Sequence, residues 1–104
     1  MSAWKELERQ VGRIINGKRF WGSSGGPIDV ESDHLVCQVK HRKTMSLREI
    51  EAEAVQIERV GQEKGKAGIL CIKRRSGRGC PTPLLFVMTE TVWEWLQKGQ
   101  NRDE

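Results

Sequence analysis

No stretch of this sequence approaches the roughly 18 consecutive apolar residues of a membrane-spanning helix, so a helical membrane protein is excluded. The opening residues, MSAWKELERQ, are charged where a secretory leader is greasy, and no signal peptide is expected. Cysteine is scarce and odd in number: Cys37, Cys71 and Cys80, with no CxxC pair. That argues against a disulfide scaffold and a zinc ribbon, and makes a reducing cytoplasmic compartment the expectation. Cys37 and Cys71 lie inside apolar runs, where cysteine behaves as a small hydrophobe. There is no phosphate-binding glycine loop, hence no ATP-driven chemistry, and no repeat or low-complexity segment.

What remains is 104 residues, enough for one domain with one core and too few for two. Apolar residues make up only 37% and charged residues 31%, which fits a small domain with a large polar surface or one that works as an oligomer. The net charge of +4 says less than its distribution. Lys64, Lys66, Lys73, Arg74, Arg75 and Arg78 run without an acid among them, and Lys40, His41, Arg42 and Lys43 form a second cluster. The acids sit mostly in two predicted helices and the last residues. Such segregation makes a basic face whose natural partner is a phosphate backbone, although a solvated charged surface gives the same pattern.

Residues Ala3 to Asn16 carry Trp4, Leu7, Val11, Ile14 and Ile15 at spacings of three and four, which predicts an amphipathic helix ending at Gly17. A short strand is expected at Lys18–Trp21, then a turn-rich loop. Ile28–Glu31 and His34–His41 read as a hairpin turning at Ser32-Asp33. Ser46-Leu-Arg-Glu49 has the spacing of a capping box and opens a second helix with Leu47, Ile50, Ala54 and Ile57 as its buried stripe, fading near Gly61–Gly65. Ala67–Lys73 predicts a strand buried on both faces. A basic loop follows, then a strand over Leu84–Met88. Thr89 caps a last helix through about Lys98, with Val92, Trp93 and Leu96 apolar. The expectation is an α/β fold of order αβββαββα, a central mixed five-stranded sheet flanked by helices, forming a single domain over 1–98 with a frayed tail over 99–104.

A two-residue turn at Ser32-Asp33 opposes Glu31 to His34, Val30 to Leu35, Asp29 to Val36 and Ile28 to Cys37. Because side chains alternate along a strand, Ile28, Val30, Leu35, Cys37 and Val39 then share one face. Asp29, Glu31, His34, Val36, Gln38 and Lys40 share the other. A half-buried hairpin with a solvated outer face gives this pattern too. Gln38 and Lys40, however, lie mid-way along the longest predicted strand, which should be central, and buried amide and ammonium groups are costly unless they bind something. A carboxylate and an amide oxygen are hard ligands suited to Mg²⁺. A lysine one strand repeat away can neutralise charge building on a phosphorane. At about 100° per residue, Glu8 falls roughly 60° from the centre of the first helix's apolar stripe and Glu6 roughly 140° away, so Glu8 looks toward the sheet.

Glu8, the segment Ser24-Gly-Gly-Pro27-Ile28-Asp29 and the segment Val36-Cys-Gln38-Val39-Lys40 resemble the PD-(D/E)xK nuclease superfamily. Within it they resemble the archaeal-type Holliday junction resolvases, including small phage versions, over roughly residues 4 to 96. The motif departs from the family in reading Pro-Ile-Asp rather than Pro-Asp, and in Gln38 at the place of the second acid, a change also found in some Mrr-type restriction nucleases. The resemblance implies a restriction-endonuclease-like core and a Mg²⁺ site, with Mn²⁺ as substitute. Asp29 and Gln38 would be its ligands, Glu8 would complete it directly or through water, and Lys40 would be the catalytic lysine. Ser24, or Ser23 in its stead, would be a polar loop residue near the scissile phosphate. It further implies a symmetric homodimer cutting opposed strands of a four-way junction, phage-encoded and acting inside a bacterial host. Trp93 and Trp95, two apart on a helix and so pointing about 160° apart, leave one ring for a partner. Lys18, Arg19, Arg42, Lys43, Lys73, Arg74, Arg75 and Arg78 are the DNA-contact candidates, reading shape rather than base sequence.

The leading expectation is a metal-dependent, structure-selective DNA endonuclease acting on branched or duplex DNA. A nicking or restriction-like nuclease of the same fold is the enzymatic alternative. A non-catalytic DNA-binding module, its chemistry weakened by Gln38, is a second alternative, and a basic interaction protein that binds no DNA a third. An HNH site needs more histidine than His34 and His41 supply, and an RNase H-like site needs several dispersed carboxylates in a longer chain.

Overall fold

A computed structural model describes residues 3–19, 26–76 and 81–100. The expected elements Phe20, Trp21, Ser23, Ser24, Arg78 and Cys80, and the side chains of Trp4 and Arg19, lie outside the described part. The elements run α1 (Ala3–Ile15), β1 (Lys18–Arg19), β2 (Val30–Glu31), β3 (Leu35–Arg42), α2 (Leu47–Lys64), β4 (Ala67–Arg74), β5 (Leu84–Val87) and α3 (Glu90–Gln100). This is an α/β fold of three helices around a mixed sheet. The strand order is β1-β2-β3-β4-β5, with β3 and β4 parallel and every other neighbour antiparallel. β1 and β2 pair over only two residues each, so β3, β4 and β5 make the body of the sheet.

Helices cover both faces. On one side α1 and α3 press Val11 and Val92 onto Val30, Cys37, Ile69 and Cys71. On the other α2 presses Ile57 onto Ile28, Val36, Leu70 and Ile72. Gly68 allows α2 to sit close, because a Cβ there would stand 1.9 Å from the carbonyl oxygen of Ile57. α2 starts as its sequence dictates: Ser46 Oγ accepts from the Glu49 amide at 3.1 Å and the Glu49 carboxylate accepts from the Ser46 amide at 3.2 Å. It ends at Gly65, which takes a left-handed φ of 70°. The expected burial of both central thiols holds, and the Cys71 thiol is pushed far up by its neighbour Cys37 and by burial, so it stays protonated and inert.

Several expectations are corrected. Asn16, not Gly17, is the left-handed residue that ends α1, with φ 57°, and the Gly17 amide then donates back to the Gly12 carbonyl at 2.8 Å. Ile14 is exposed, whereas Leu7, Glu8 and Val11 are buried: the face meeting the sheet is turned toward Glu8 and away from Ile14. Leu47, the first residue of α2, is 80% exposed and not part of the buried stripe. Trp93 is not a core residue. Val92 and Leu96 define the buried stripe of α3, and Trp93 and Trp95 flank it about 80° to either side, so both rings are half exposed. α3 also runs through Gln100, past the expected boundary at residue 98. Among the described residues no helix is long and apolar enough to cross a membrane.

The hairpin register differs by two residues from the expected one. Val30 faces Cys37 and Glu31 faces Val36. The turn is Asp33-His34, closed by the Ser32 amide donating to the Leu35 carbonyl at 2.9 Å. A slip of two is even, so Val30, Cys37 and Val39 keep their shared face. Ile28 does not: it packs with Val36 and Leu70 across the sheet. The reason is an extra residue. The Asp29 amide donates to the Cys37 carbonyl, the residue that Val30 already faces, and such a bulge breaks the alternation.

Candidate active site

β3 is the longest strand together with β4 and the third of five, so its residues are the natural ones to bury. Its α2-facing row runs Val36, Gln38, Lys40, Arg42. Val36 is fully buried and Gln38 is 8% exposed. The alternative of a solvated outer face therefore fails, because α2 covers it. The Gln38 amide oxygen Oε1 is buried without a hydrogen-bond partner among the described residues.

The cleft beside this row exists because β2 is short. β2 pairs with β3 only at Val36 and Cys37, so among the described residues β3 has a strand neighbour from Gln38 onward on the β4 side alone. Pro27 to Asp29 run past the uncovered edge. The Asp29 carboxylate Oδ2 accepts from the Val39 amide at 2.8 Å, taking the place of a ladder carbonyl. The resulting cleft, about 360 Å³, is lined by Glu8, Asp29, Gln38, Lys40, His41 and Arg42, among others. Glu8 reaches it from α1 and is 8% exposed. Glu6, two residues away, is exposed and paired with Arg9 at 2.7 Å. The sequence-derived Glu8, Asp29, Gln38 and Lys40 thus share one cavity; Ser24 lies outside the described residues.

One residue was missed. Glu53 of α2 sets its carboxylate Oε2 3.9 Å from Lys40 Nζ. That oxygen is buried and has no hydrogen-bond partner among the described residues. The signal was present in the sequence: Glu53 stands at Ile50 plus three and Ile57 minus four, squarely on the buried stripe of α2. His41, which lines the cleft, was noted only as part of a basic cluster.

The basic candidates divide. Arg42 and Arg74 are register partners at the carboxyl ends of the parallel pair, and the Arg75 amide donates to the Arg42 carbonyl at 2.8 Å. Arg42, Lys43, Arg74 and Arg75 are exposed there. Lys73 is half buried, its ammonium donating to the Thr82 carbonyl. Lys18 sits at the far end of the sheet, in a separate cleft with Glu31, Ser32, Asp33 and Lys66. Lys64 and Lys66, counted in the basic run, are tied to Glu31 at 2.8 and 2.5 Å. Burial pushes the Glu31 carboxyl up, but the hydrogen bonds and charges of Lys64 and Lys66 together hold it below the ordinary value of 4.5.

A divalent cation needs several hard oxygens. Among the described residues no three side chains of His, Cys, Asp or Glu gather closely enough to hold a metal ion. The cleft offers carboxylates and an amide instead, and the orphaned Gln38 Oε1 is the kind of buried acceptor that a cation satisfies. No protein-family model, curated protein or solved structure matches this chain.

Proposed function

We propose that this chain is a divalent-cation-dependent DNA endonuclease with a restriction-endonuclease-like core, selective for branched DNA and above all for four-way junctions. One observation carries the reading: Glu8, Asp29, Gln38 and Lys40 line one cleft, with exposed Arg42 beside it. Asp29 and Gln38 would hold Mg²⁺ or Mn²⁺, with Glu8 completing the set through water. The bound cation supplies polarisation of the phosphodiester and a water of lowered pKa. Asp29, whose Oδ2 accepts from the Val39 amide, would be a fixed ligand. Lys40 brings an ammonium to the same wall, where it neutralises charge building on the phosphorane oxygens. Arg42, Arg74 and Arg75 bind the flanking phosphates, so affinity falls steeply with salt.

A resolvase needs two such sites. Phe86 and Trp93 are 41% and 54% exposed and line one cleft beside β5, the edge strand of the sheet. This apolar edge is the surface offered to a second copy, and Trp93→Ala is expected to lower the dimer fraction in light scattering. One observation favours the second reading, a DNA-binding module without turnover: Gln38 contributes no negative charge where a cation site gains from one. The deciding experiment incubates the protein with a labelled four-way junction and a matched linear duplex in Mg²⁺, Mn²⁺ or EDTA, beside Asp29→Ala. Metal-dependent paired nicks in the junction, absent from the variant, support the resolvase reading. Cutting of both substrates favours a general nuclease, and tight binding without cutting in any metal favours the module.

A further inference from the structure

Two buried acceptor oxygens, Gln38 Oε1 and Glu53 Oε2, stand without hydrogen-bond donors among the described residues. Leaving such groups unsatisfied is costly, the more so for a charge. Among the described residues the cation beside Glu53 is Lys40, and at 3.9 Å its ammonium is too distant to hydrogen-bond the carboxylate. Both acceptors belong to the same layer. The Ile57 carbonyl lies over Gly68, which is the register partner of Val36. One helical turn back from Ile57 is Glu53, about 6 Å along the axis. Two strand residues on from Val36 is Gln38, about 6.6 Å along β3. Because α2 runs antiparallel to β3, these steps go the same way, and Glu53 is level with Gln38. Helix α2 therefore brings a carboxylate to the point where β3 offers only an amide.

We propose that Glu53 is the second carboxylate of the cation site, supplying from α2 the negative charge that Gln38 lacks. This rests on the reading of the cleft as a cation site. Gln38 contributes its amide oxygen, Asp29 and Glu53 the two charges, and Lys40 is the counter-ion of Glu53 when no cation is present.

The test is calorimetric titration with Mn²⁺ of the full chain, without DNA. It compares the wild type, Glu53→Gln, Gln38→Glu with Glu53→Gln, and Asp29→Asn, with a thermal melt to confirm folding. Glu53→Gln is expected to weaken Mn²⁺ binding on the order of tenfold or more. The double variant, which moves the charge from α2 to β3, is expected to recover most of it. Unchanged Mn²⁺ affinity in Glu53→Gln, with Asp29→Asn impaired, would overturn the proposal and reduce Glu53 to an ion-pair partner of Lys40. A wild type that binds no Mn²⁺ would overturn it as well. Junction cleavage, assayed in parallel, keeps the two readings apart. Glu53-dependent Mn²⁺ binding without cleavage would sink the nuclease and leave the cation site standing. Cleavage by Glu53→Gln at the wild-type rate and affinity would do the reverse.

Discussion

β3 and β4 differ in what they do with the same position in the fold. Each has eight residues, they are parallel, and all eight pairs are in register at the centre of the sheet. β4 spends its centre on packing: Ala67 to Ile72 are all buried, with Leu70 and Ile72 under α2. β3 begins in the same way, with Val36 and Cys37 fully buried. Then Gln38 stands beside Leu70, and Lys40 beside Ile72. Burying a leucine is worth about 1.5–3 kcal/mol, while burying an unpaired amide costs about 1–3 kcal/mol. Beside β4, therefore, β3 forgoes several kcal/mol. Neighbouring strands with the same exposure to the core would not diverge in this way for stability alone. The divergence falls where β2 stops covering β3, so the polar residues also open onto a cleft.

The comparison yields tests of decreasing size. Leu70→Ala should destabilise the protein by about 2–5 kcal/mol in denaturant melts, because it opens a cavity in a closed layer. Its remaining folded fraction should cleave normally, which would confirm that β4 is scaffold. Lys40→Ala and Asp29→Asn should lower the single-turnover rate of junction cleavage by about 10²–10³-fold with binding nearly unchanged. Asn is chosen because its side-chain oxygen can still accept from the Val39 amide, so a loss of folding would count against the assignment. Glu8→Ala should slow cleavage on the order of tenfold, and Glu6→Ala hardly at all. Equal effects would break the claim that α1 turns Glu8 toward the cleft.

The smallest effect lies at the other end of the sheet, where Glu31 is paired with Lys64 and Lys66. Its carboxyl is held below 4.5, so its contribution is complete above that value and is lost as pH falls through the lower folded value. Melts of wild type and Glu31→Gln should differ by no more than about 1 kcal/mol near neutral pH and converge in acid. A gap that widens in acid would contradict the pairing.

Much of this was legible in the residues. The capping box, the buried β4 run and the choice of Glu8 over Glu6 depend on local chemistry and helical period, which a sequence carries directly. The hairpin register was not legible, because Ser32-Asp33 and Asp33-His34 are both good turns; the observed one is held by Ser32 Oγ, which accepts from the Leu35 amide at 3.1 Å, and by the bulge at Asp29. Nor was the exposure of Trp93, since a ring about 80° off a stripe is apolar in composition yet turned outward in space. Glu53 was hidden differently: its position on the α2 stripe was visible, but a charge there reads as an interruption until β3 shows Lys40 beneath it. The basic run over 64–78 misled in part, because Lys64 and Lys66 share the carboxylate of Glu31, a residue more than thirty positions away, which cancels one of their two charges.

The most direct test gives β3 the residue that β4 carries. Gln38→Leu removes the orphaned amide, keeps its approximate volume and closes the apolar layer. We expect a protein more stable by about 1–3 kcal/mol that still binds a four-way junction but neither binds Mn²⁺ nor cuts. A variant that is less stable and cleaves at the wild-type rate would contradict the claim that β3 gives up stability for a catalytic site.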